Sequence, residues 1–251
     1  MILNARETGL GTPLVLLGSI ASTTHMWDPQ IPQLAKNHRV IALDHPGHGD
    51  SPDPTAGPGE TTVEDLANNV LETLDSLGVE EFGVIGLSLG GALAQYLAAT
   101  SPRVTRAAFL CTAPYLGGPD KWAPRSELTR AHGMDPMLEG VFGLWVTPEF
   151  AQTHPGYSAE LRQMITSTRG VGYAACADAL AGWDFRDRLE EISVPVLTLA
   201  GADDQSTPPE TVHGIGTATG GEHQQLTVPG AHVPTVESPK LVTDALVERF
   251  S

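Results

Sequence analysis

The stretch FGVIGLSLGGALAQYLA, residues 82–98, carries the strongest structural signal in the chain. Its first six residues form an apolar run that predicts a strand buried on both faces, and the residues after Gly90 predict a helix. Between them, Gly86-Leu87-Ser88-Leu89-Gly90 matches the pattern G-x-S-x-G. This pattern predicts a sharp, strained turn that exposes Ser88 at a helix N-terminus, with glycines where side chains would collide with the adjoining strand and helix.

Other apolar runs alternate with helical patterns along the chain. Strands are predicted at 13–19, 39–43, 105–111, 194–200 and 224–228. Thr61 and Glu64 have the spacing of a capping box, which predicts the start of a helix that ends at Gly78. Continuous rather than alternating apolarity is typical of parallel strands between helices. The sequence therefore predicts an α/β fold with a mostly parallel, doubly wound sheet.

Residues 113–185 interrupt this alternation. They contain three of the four tryptophans and no clear strand, and helical patterns occur at 121–132, 134–145, 158–168 and 170–181. The segment is too apolar to be a disordered linker. We therefore expect a core formed by residues 1–112 and 186–251, with residues 113–185 inserted as a helical cap.

The composition excludes several classes of protein. The 251 residues carry a formal net charge of −16, which disfavours binding to nucleic acids or to anionic membranes. The first residues lack the basic and apolar regions of a signal peptide, and no apolar run approaches the roughly 18 residues that span a bilayer. Two cysteines do not form a disulfide framework. We expect a cytoplasmic protein that acts on a small molecule.

A serine nucleophile needs a base, and the base needs an acid to orient it. In α/β folds with this turn, the three residues follow the chain order Ser, Asp or Glu, His. His232 follows the last predicted strand, which makes it the candidate base for Ser88. Two carboxylates follow the preceding strand; Asp204 is favoured because it is nearer the turn into the next helix, and Asp203 is the alternative.

Two backbone amides are expected to stabilise the oxyanion formed during acyl transfer. The first is that of Leu89, directly after the nucleophile, and the second is that of Ile20, in the loop after the first predicted strand. His45 and His48 lie close in sequence, but no carboxylate or cysteine completes a metal-ligand set beside them, so we interpret them as loop residues. No metal or other cofactor is predicted.

Several segments together resemble the α/β-hydrolase superfamily over essentially the whole chain. They include Gly86 to Gly91, Trp145-Val-Thr-Pro, Gly172-Tyr-Ala-Ala-Cys, and the regions of Asp204 and His232. Within the superfamily the chain is most similar to the 3-oxoadipate enol-lactonases. The resemblance implies hydrolysis of 3-oxoadipate enol-lactone in the β-ketoadipate pathway of aromatic compound catabolism, through an acyl-enzyme and without a cofactor. It assigns the triad to Ser88, Asp204 and His232, and a place beside the substrate pocket to Trp145.

One departure from those enzymes concerns the substrate. Leu144 stands where they carry an arginine, so another cation is expected to bind the substrate carboxylate. The candidates are Arg125, Arg130, Arg162 and Arg169. Two alternative functions remain: a carboxylesterase or C–C bond hydrolase that uses the same triad, and a ligand-binding protein of this fold without catalytic activity.

Overall fold

A computed structural model describes all 251 residues, which fold around a seven-stranded sheet. The strands are β1 (Ala5–Thr8), β2 (Thr12–Leu17), β3 (His38–Leu43), β4 (Phe82–Leu87), β5 (Val104–Leu110), β6 (Val196–Gly201) and β7 (His223–Val228). Their order is β1-β3-β2-β4-β5-β6-β7, and all neighbours are parallel except β1 and β3. The predicted α/β fold with a mostly parallel sheet is confirmed.

The central strands show why their sequences are continuously apolar. All six residues of β4 are buried, as are the last four residues of β2, β3 and β5. Burial of this kind follows when both faces of a strand are covered. The loops that leave the carboxyl ends of parallel strands lie at one edge of the sheet, which is where α/β folds place their binding sites.

Strand β1 was not predicted. Its sequence, Ala-Arg-Glu-Thr, contains no apolar run, and its last two residues are exposed. It pairs antiparallel with β3 at the edge of the sheet, from Ala5 opposite Leu43 to Thr8 opposite Val40. Backbone pairing at an edge does not require apolar side chains on both faces, so the hydrophobic pattern carries little information about this strand.

Eleven α-helices accompany the sheet. They are α1 (Ile31–Leu34), α2 (Val63–Ser76), α3 (Leu89–Thr100), α4 (Gly118–His132), α5 (Leu138–Trp145), α6 (Pro148–Thr153), α7 (Pro155–Ser167), α8 (Gly170–Ala181), α9 (Pro209–Ala218), α10 (Pro234–Glu237) and α11 (Pro239–Phe250). The capping box of α2 is formed by Thr62 and Asp65, so the prediction of Thr61 and Glu64 was wrong by one residue. None of the helices is both long and apolar enough to cross a lipid bilayer.

Helices α4 to α8 occupy the connection between β5 and β6, which we call the helical segment (residues 113–185). One end of α8 lies directly on the loop after β3: a Cβ built on Gly172 would be 2.5 Å from the Cα of Gly47. The amide of Arg169 donates to the carbonyl of Gly47 at 3.0 Å, and its guanidinium donates to the carbonyl of Gly49 at 3.0 Å. Glycine at both contact positions therefore lets the helical segment approach the sheet closely.

Candidate active site

Ser88 occupies the turn between β4 and α3. Its φ of 57° and ψ of −113° place a residue with a side chain in a left-handed conformation, which is strained. A Cβ on Gly86 would lie 2.0 Å from the carbonyl oxygen of Gly90, and a Cβ on Gly90 would lie 2.1 Å from that of Leu17. Backbone atoms cannot yield that much space, so both positions require glycine.

Three hydrogen bonds to neighbouring segments fix the backbone of the turn at Ser88. The amide of Ser88 donates to the carbonyl of Leu110 at 2.9 Å, and the hydroxyl of Thr112 donates to the carbonyl of Ser88 at 2.8 Å. The amide of Gly90 donates to the carbonyl of Gly18 at 3.0 Å. The hydroxyl of Ser88 itself has no hydrogen-bond partner and is not sealed from solvent, although the residue is only 7% exposed. It is therefore free to react with a ligand.

His232 and Asp204 meet at the same edge of the sheet. His232 follows β7 and Asp204 follows β6, and the Nδ1 of the imidazole lies 2.8 Å from Oδ2 of the carboxylate. Both residues are buried. The opposite ring nitrogen, Nε2, has no protein partner, and no hydrogen bond joins it to the hydroxyl of Ser88. The pair leaves Nε2 available for proton transfer, and such contacts often tighten only when substrate binds.

Asp204 is held ionised by its neighbours. Burial raises the pKa of this carboxyl, but the charge of His232 and hydrogen bonds from His232 and Thr207 outweigh burial, so the pKa lies below its usual range. The hydroxyl of Thr207 donates to Oδ2 at 2.6 Å, and the amides of Ser206 and Thr207 donate to Oδ1 at 2.8 and 3.1 Å. Asp203 is exposed and its carboxylate contacts neither His232 nor Thr207.

The contact of Thr207 with Asp204 was not predicted from the sequence. A threonine three residues after an aspartate is a common local capping arrangement, in which the carboxylate accepts from backbone and hydroxyl donors. The three-residue spacing from Asp204 to Thr207 is therefore a sequence signal that could have predicted this contact. Its effect is to fix the Asp204 carboxylate in the orientation that faces His232.

The amides of Ile20 and Leu89 donate to no acceptor in the protein. Leu89 is the first residue of α3, where backbone amides have no partner within the helix. Ile20 precedes Ala21, which has a φ of 67° and donates its amide to Nε2 of His48 at 3.0 Å. The loop after β2 and the start of α3 thus each offer one free backbone donor, and an oxyanion needs two such donors.

His48 supports this loop as a neutral imidazole. It is fully buried; its Nδ1 lies 2.9 Å from the carbonyl of Pro46, while its Nε2 accepts from Ala21. The pKa of His48 is lowered to about 3, mainly by burial and in smaller part by the neighbouring His45. The sequence predicted a loop residue here but not its contact with the strained residue after Ile20.

Trp145 lies at the C-terminus of α5, and the loop that carries His232 is joined to it through the backbone. The amide of His232 donates to the carbonyl of Leu144 at 3.3 Å, and the amide of Val233 donates to that of Trp145 at 2.9 Å. The indole is buried. A neighbouring cavity of about 620 Å³ is lined by Leu144, among others, but not by Trp145 or Ser88.

Three of the four arginines proposed to bind a substrate carboxylate are already paired within the protein. Arg130 contacts Asp178 at 2.7 Å, and Arg162 contacts Glu139 at 3.0 Å. Arg169 is bonded to Asp53 and to the carbonyls of Gly49 and Ser51. Only Arg125 has no carboxylate partner; it lies over the ring of Trp122, 5.0 Å from the centroid.

Comparisons with known proteins show the family of this chain. Residues 12–239 match the family model described as the alpha/beta hydrolase fold. The chain is 31% identical over 250 residues to 3-oxoadipate enol-lactonase 2 of Acinetobacter baylyi, covering 95% of this chain and 89% of that protein.

Solved structures give the same picture. The enol-lactonase of Burkholderia xenovorans LB400 superposes with a TM-score of 0.92 at 29% identity, covering 99% of this chain and 96% of that one. A thermophilic esterase from Thermogutta terrifontis superposes with a TM-score of 0.91 at 28% identity, covering 98% and 92%. The relatives are named for hydrolysis of lactones and esters.

Proposed function

This chain belongs to the α/β-hydrolase fold family, and from that premise we propose that it is a serine hydrolase that opens the ring of 3-oxoadipate enol-lactone. The observation that carries the proposal is the 2.8 Å hydrogen bond between His232 and Asp204, at the same edge of the sheet as the unpartnered hydroxyl of Ser88. The names of two similar proteins, from Acinetobacter baylyi and Burkholderia xenovorans, support the choice of substrate.

The first half of the reaction forms an acyl-enzyme. The oxygen of Ser88 attacks the lactone carbonyl while Nε2 of His232 takes its proton. Asp204 holds Nδ1 and stabilises the imidazolium that results. The oxyanion is stabilised by the free amides of Ile20 and Leu89.

Collapse of the tetrahedral intermediate breaks the ring C–O bond. The leaving group is an enolate, which accepts a proton from His232 and becomes the ketone. Because an enolate is a good leaving group, this step makes little demand on the acid strength of His232.

The second half releases the product. Water gives a proton to His232 and attacks the acyl-enzyme, and the second tetrahedral intermediate expels the oxygen of Ser88, which regains the proton. The product is 3-oxoadipate. Each step uses only side chains and backbone amides of this chain, so the proposed reaction needs no cofactor.

Two measurements test the proposal. Wild-type enzyme is expected to prefer the carboxylate-bearing enol-lactone over its neutral methyl ester in kcat/KM, and equal or better hydrolysis of the methyl ester would instead indicate a general esterase. Ser88→Ala is expected to lower kcat by at least about a thousandfold with little change in thermal stability. Labelling by a fluorophosphonate in the wild type but not in Ser88→Ala separates a serine enzyme from a non-catalytic binding protein.

A further inference from the structure

Two buried histidines take no part in the proposed reaction. His45 and His48 lie in the loop after β3, and both are buried. Burial lowers the pKa of His45, although a hydrogen bond to the carbonyl of Gly18 opposes that effect. The pKa of His48 is lowered to about 3. Both imidazoles are therefore neutral near pH 7, and each has one nitrogen that donates a hydrogen bond and one that accepts.

The two rings bind opposite ends of one short segment, Gly18 to Ala21, which we call the donor loop. Nε2 of His45 donates to the carbonyl of Gly18 at 2.8 Å. Nε2 of His48 accepts from the amide of Ala21 at 3.0 Å, so the proton of that ring lies on Nδ1. The ring centroids are 5.7 Å apart, edge to face. The histidines therefore hold both ends of the segment that contains Ile20.

Ala21 adopts a backbone conformation that its own side chain disfavours. Its φ of 67° lies in the left-handed region, where a residue with a side chain is strained. It is the third residue of a turn in which the amide and the hydroxyl of Ser22 donate to the carbonyl of Ser19, at 3.2 and 2.7 Å. In turns with a positive φ at the third residue, glycine is the usual residue. The hydrogen bond from Ala21 to His48 therefore stabilises a geometry that the local sequence does not favour.

The donor loop is in direct contact with the turn that carries Ser88. The carbonyl of Gly18 accepts a second hydrogen bond, at 3.0 Å, from the amide of Gly90, two residues after the nucleophile. A Cβ built on Gly90 would lie 2.7 Å from that carbonyl oxygen. The amide of Ile20, which donates to no acceptor in the protein, lies between Gly18 and Ala21 in the chain. A displacement of either end of the loop therefore moves this amide relative to Ser88.

We propose that His45 and His48 are positioning residues that clamp the donor loop and thereby set the place of the Ile20 amide in the oxyanion hole. The inference rests on the proposed function in that the oxyanion forms when Ser88 attacks an ester or lactone. The two histidines act through a carbonyl at one end of the loop and an amide at the other. Because a displaced donor stabilises the oxyanion less, the clamp strengthens binding of the transition state rather than of the substrate.

Substitutions that reach different atoms test the clamp. In His48→Gln the side-chain oxygen takes the place of Nε2 and accepts from Ala21, whereas the shorter side chain in His48→Asn does not reach that amide. His45→Phe removes the donor to Gly18 but leaves this carbonyl bonded to the amide of Gly90, so the carbonyl keeps a partner. The three variants therefore separate loss of a clamp contact from loss of a histidine.

The enzymatic measurement compares a ligand that forms an oxyanion with one that does not. The oxygen of Ser88 adds to the carbonyl of an aliphatic trifluoromethyl ketone while its proton passes to His232, so the adduct carries an oxyanion. The corresponding secondary alcohol forms no such adduct. Both compounds are used as inhibitors of the hydrolysis of a neutral aryl ester, which does not depend on the identity of the natural substrate.

His48→Asn is expected to raise the Ki of the ketone and to lower kcat/KM for the ester by at least about tenfold, as part of the 10²–10³-fold or so that a whole oxyanion donor contributes. The Ki of the alcohol is expected to stay within about twofold. His45→Phe is expected to change the first two quantities by about threefold or more. His48→Gln is expected to keep them within about threefold of wild type, because it retains an acceptor for Ala21.

His213→Phe is the matched control. Both ring nitrogens of His213 are also hydrogen-bonded, at 3.1 and 2.9 Å, but to hydroxyls of Thr198 on β6 and Thr227 on β7. Its loss is expected to leave both Ki values and kcat/KM within about twofold of wild type. Thermal unfolding of each variant verifies that it is folded.

A second measurement does not require catalysis. The amide of Gly90 donates to the donor loop, so its rate of hydrogen exchange, followed by NMR, reports how firmly that loop is held. Exchange of this amide is expected to become at least about tenfold faster in His48→Asn. It is expected to remain unchanged in His48→Gln and in His213→Phe.

The outcomes separate the clamp from the proposed function. An unchanged Ki of the ketone in His48→Asn and His45→Phe, or an equal rise for ketone and alcohol, would overturn the clamp while the wild-type hydrolysis stands. If His48→Asn does not fold, His45→Phe decides. If wild-type protein neither hydrolyses esters nor binds the ketone more tightly than the alcohol, the proposed function fails. Faster exchange of Gly90 in His48→Asn would then retain the clamp, and unchanged exchange would overturn it.

Discussion

Thr147 and Glu237 are joined by two hydrogen bonds although they lie 90 residues apart in the chain. The amide and the hydroxyl of Thr147 donate to one carboxylate oxygen of Glu237, at 3.0 and 2.7 Å. The other oxygen accepts the amide of Ala231, directly before His232, at 2.5 Å. Glu237 thereby connects the helical segment to the loop that carries the proposed base.

Glu237→Gln is expected to weaken this connection. A glutamine has one acceptor oxygen, and its amide group would face either Thr147 or Ala231 donor to donor. We expect the free energy of unfolding in urea to fall by about 1–2 kcal/mol. The kcat of ester hydrolysis should fall as well, because the loop of His232 loses a constraint. Glu248→Gln, on the adjacent helix and without side-chain hydrogen bonds, is the control; an equal effect there would contradict the role of Glu237.

Removing the charge of Asp204 should reduce activity far more than removing the charge of Asp203. Asp204→Asn is expected to lower kcat by about three to four orders of magnitude, because the carboxylate orients His232 and stabilises its charged form. Asp203→Asn changes an exposed side chain and is expected to stay within about twofold of wild type. Steady-state kinetics of the two variants decides the assignment, and the reverse ranking would transfer the role to Asp203.

Acid should destabilise the protein partly through His48. The folded protein keeps this residue neutral down to about pH 3, whereas the unfolded chain protonates it near pH 6.5. The unfolded state therefore binds more protons between these values, and stability is lost as the pH falls from about 6.5 to 3. The loss due to this one residue is on the order of 5 kcal/mol.

His48→Gln isolates that contribution. Glutamine cannot titrate, so the stability advantage of wild type over the variant is expected to be largest at pH 7 and to shrink steadily towards pH 4. Urea unfolding at several pH values measures the difference. The ring centroid of His45 is 5.7 Å from that of His48. Wild type and variant both contain His45 and Arg169, so the pH dependence that these two residues contribute themselves cancels to first order in the comparison. Parallel pH profiles for the two proteins would refute the prediction.

Two glycine substitutions should act in opposite directions. Gly90→Ala would place a Cβ 2.1 Å from the carbonyl oxygen of Leu17, and we expect it to lower the free energy of unfolding by at least about 3 kcal/mol or to prevent folding. Gly140→Ala lies within α5, where nothing comes within 4 Å of the added Cβ. It is expected to stabilise the protein by about 0.5–1 kcal/mol in urea unfolding.

The sequence predicts best where one local pattern has one structural outcome. The apolar strands, the turn at Ser88 and the order of the loops that carry Asp204 and His232 all follow from hydrophobic periodicity and motif spacing. Strand β1 escapes this reasoning because an edge strand needs no continuous apolar run. The start of α2 was misplaced by one residue because Thr61 and Thr62 both offer a capping hydroxyl, each with an acidic residue three positions later.

The remaining features depend on contacts between distant parts of the chain. Nothing local distinguishes Glu237 from other surface glutamates until Thr147 is placed beside it. The contact of His48 with the amide of Ala21 likewise forms only when the loops after β2 and β3 are folded together. Such contacts are properties of the folded chain, so the roles of Glu237 and His48 could not be selected from sequence patterns.

The strain at Ser88 has an evolutionary consequence. A glycine there would adopt the same backbone without the cost of about 1–3 kcal/mol that a left-handed residue with a side chain bears. Selection for stability alone would remove the serine, so its presence is the outcome expected if selection acts on the proposed chemistry. A descendant released from that selection would lose the serine by drift, while Gly86 and Gly90 would persist because the backbone contacts them directly. Among diverged relatives, the two glycines mark common ancestry, and the residue at position 88 records whether the activity has survived.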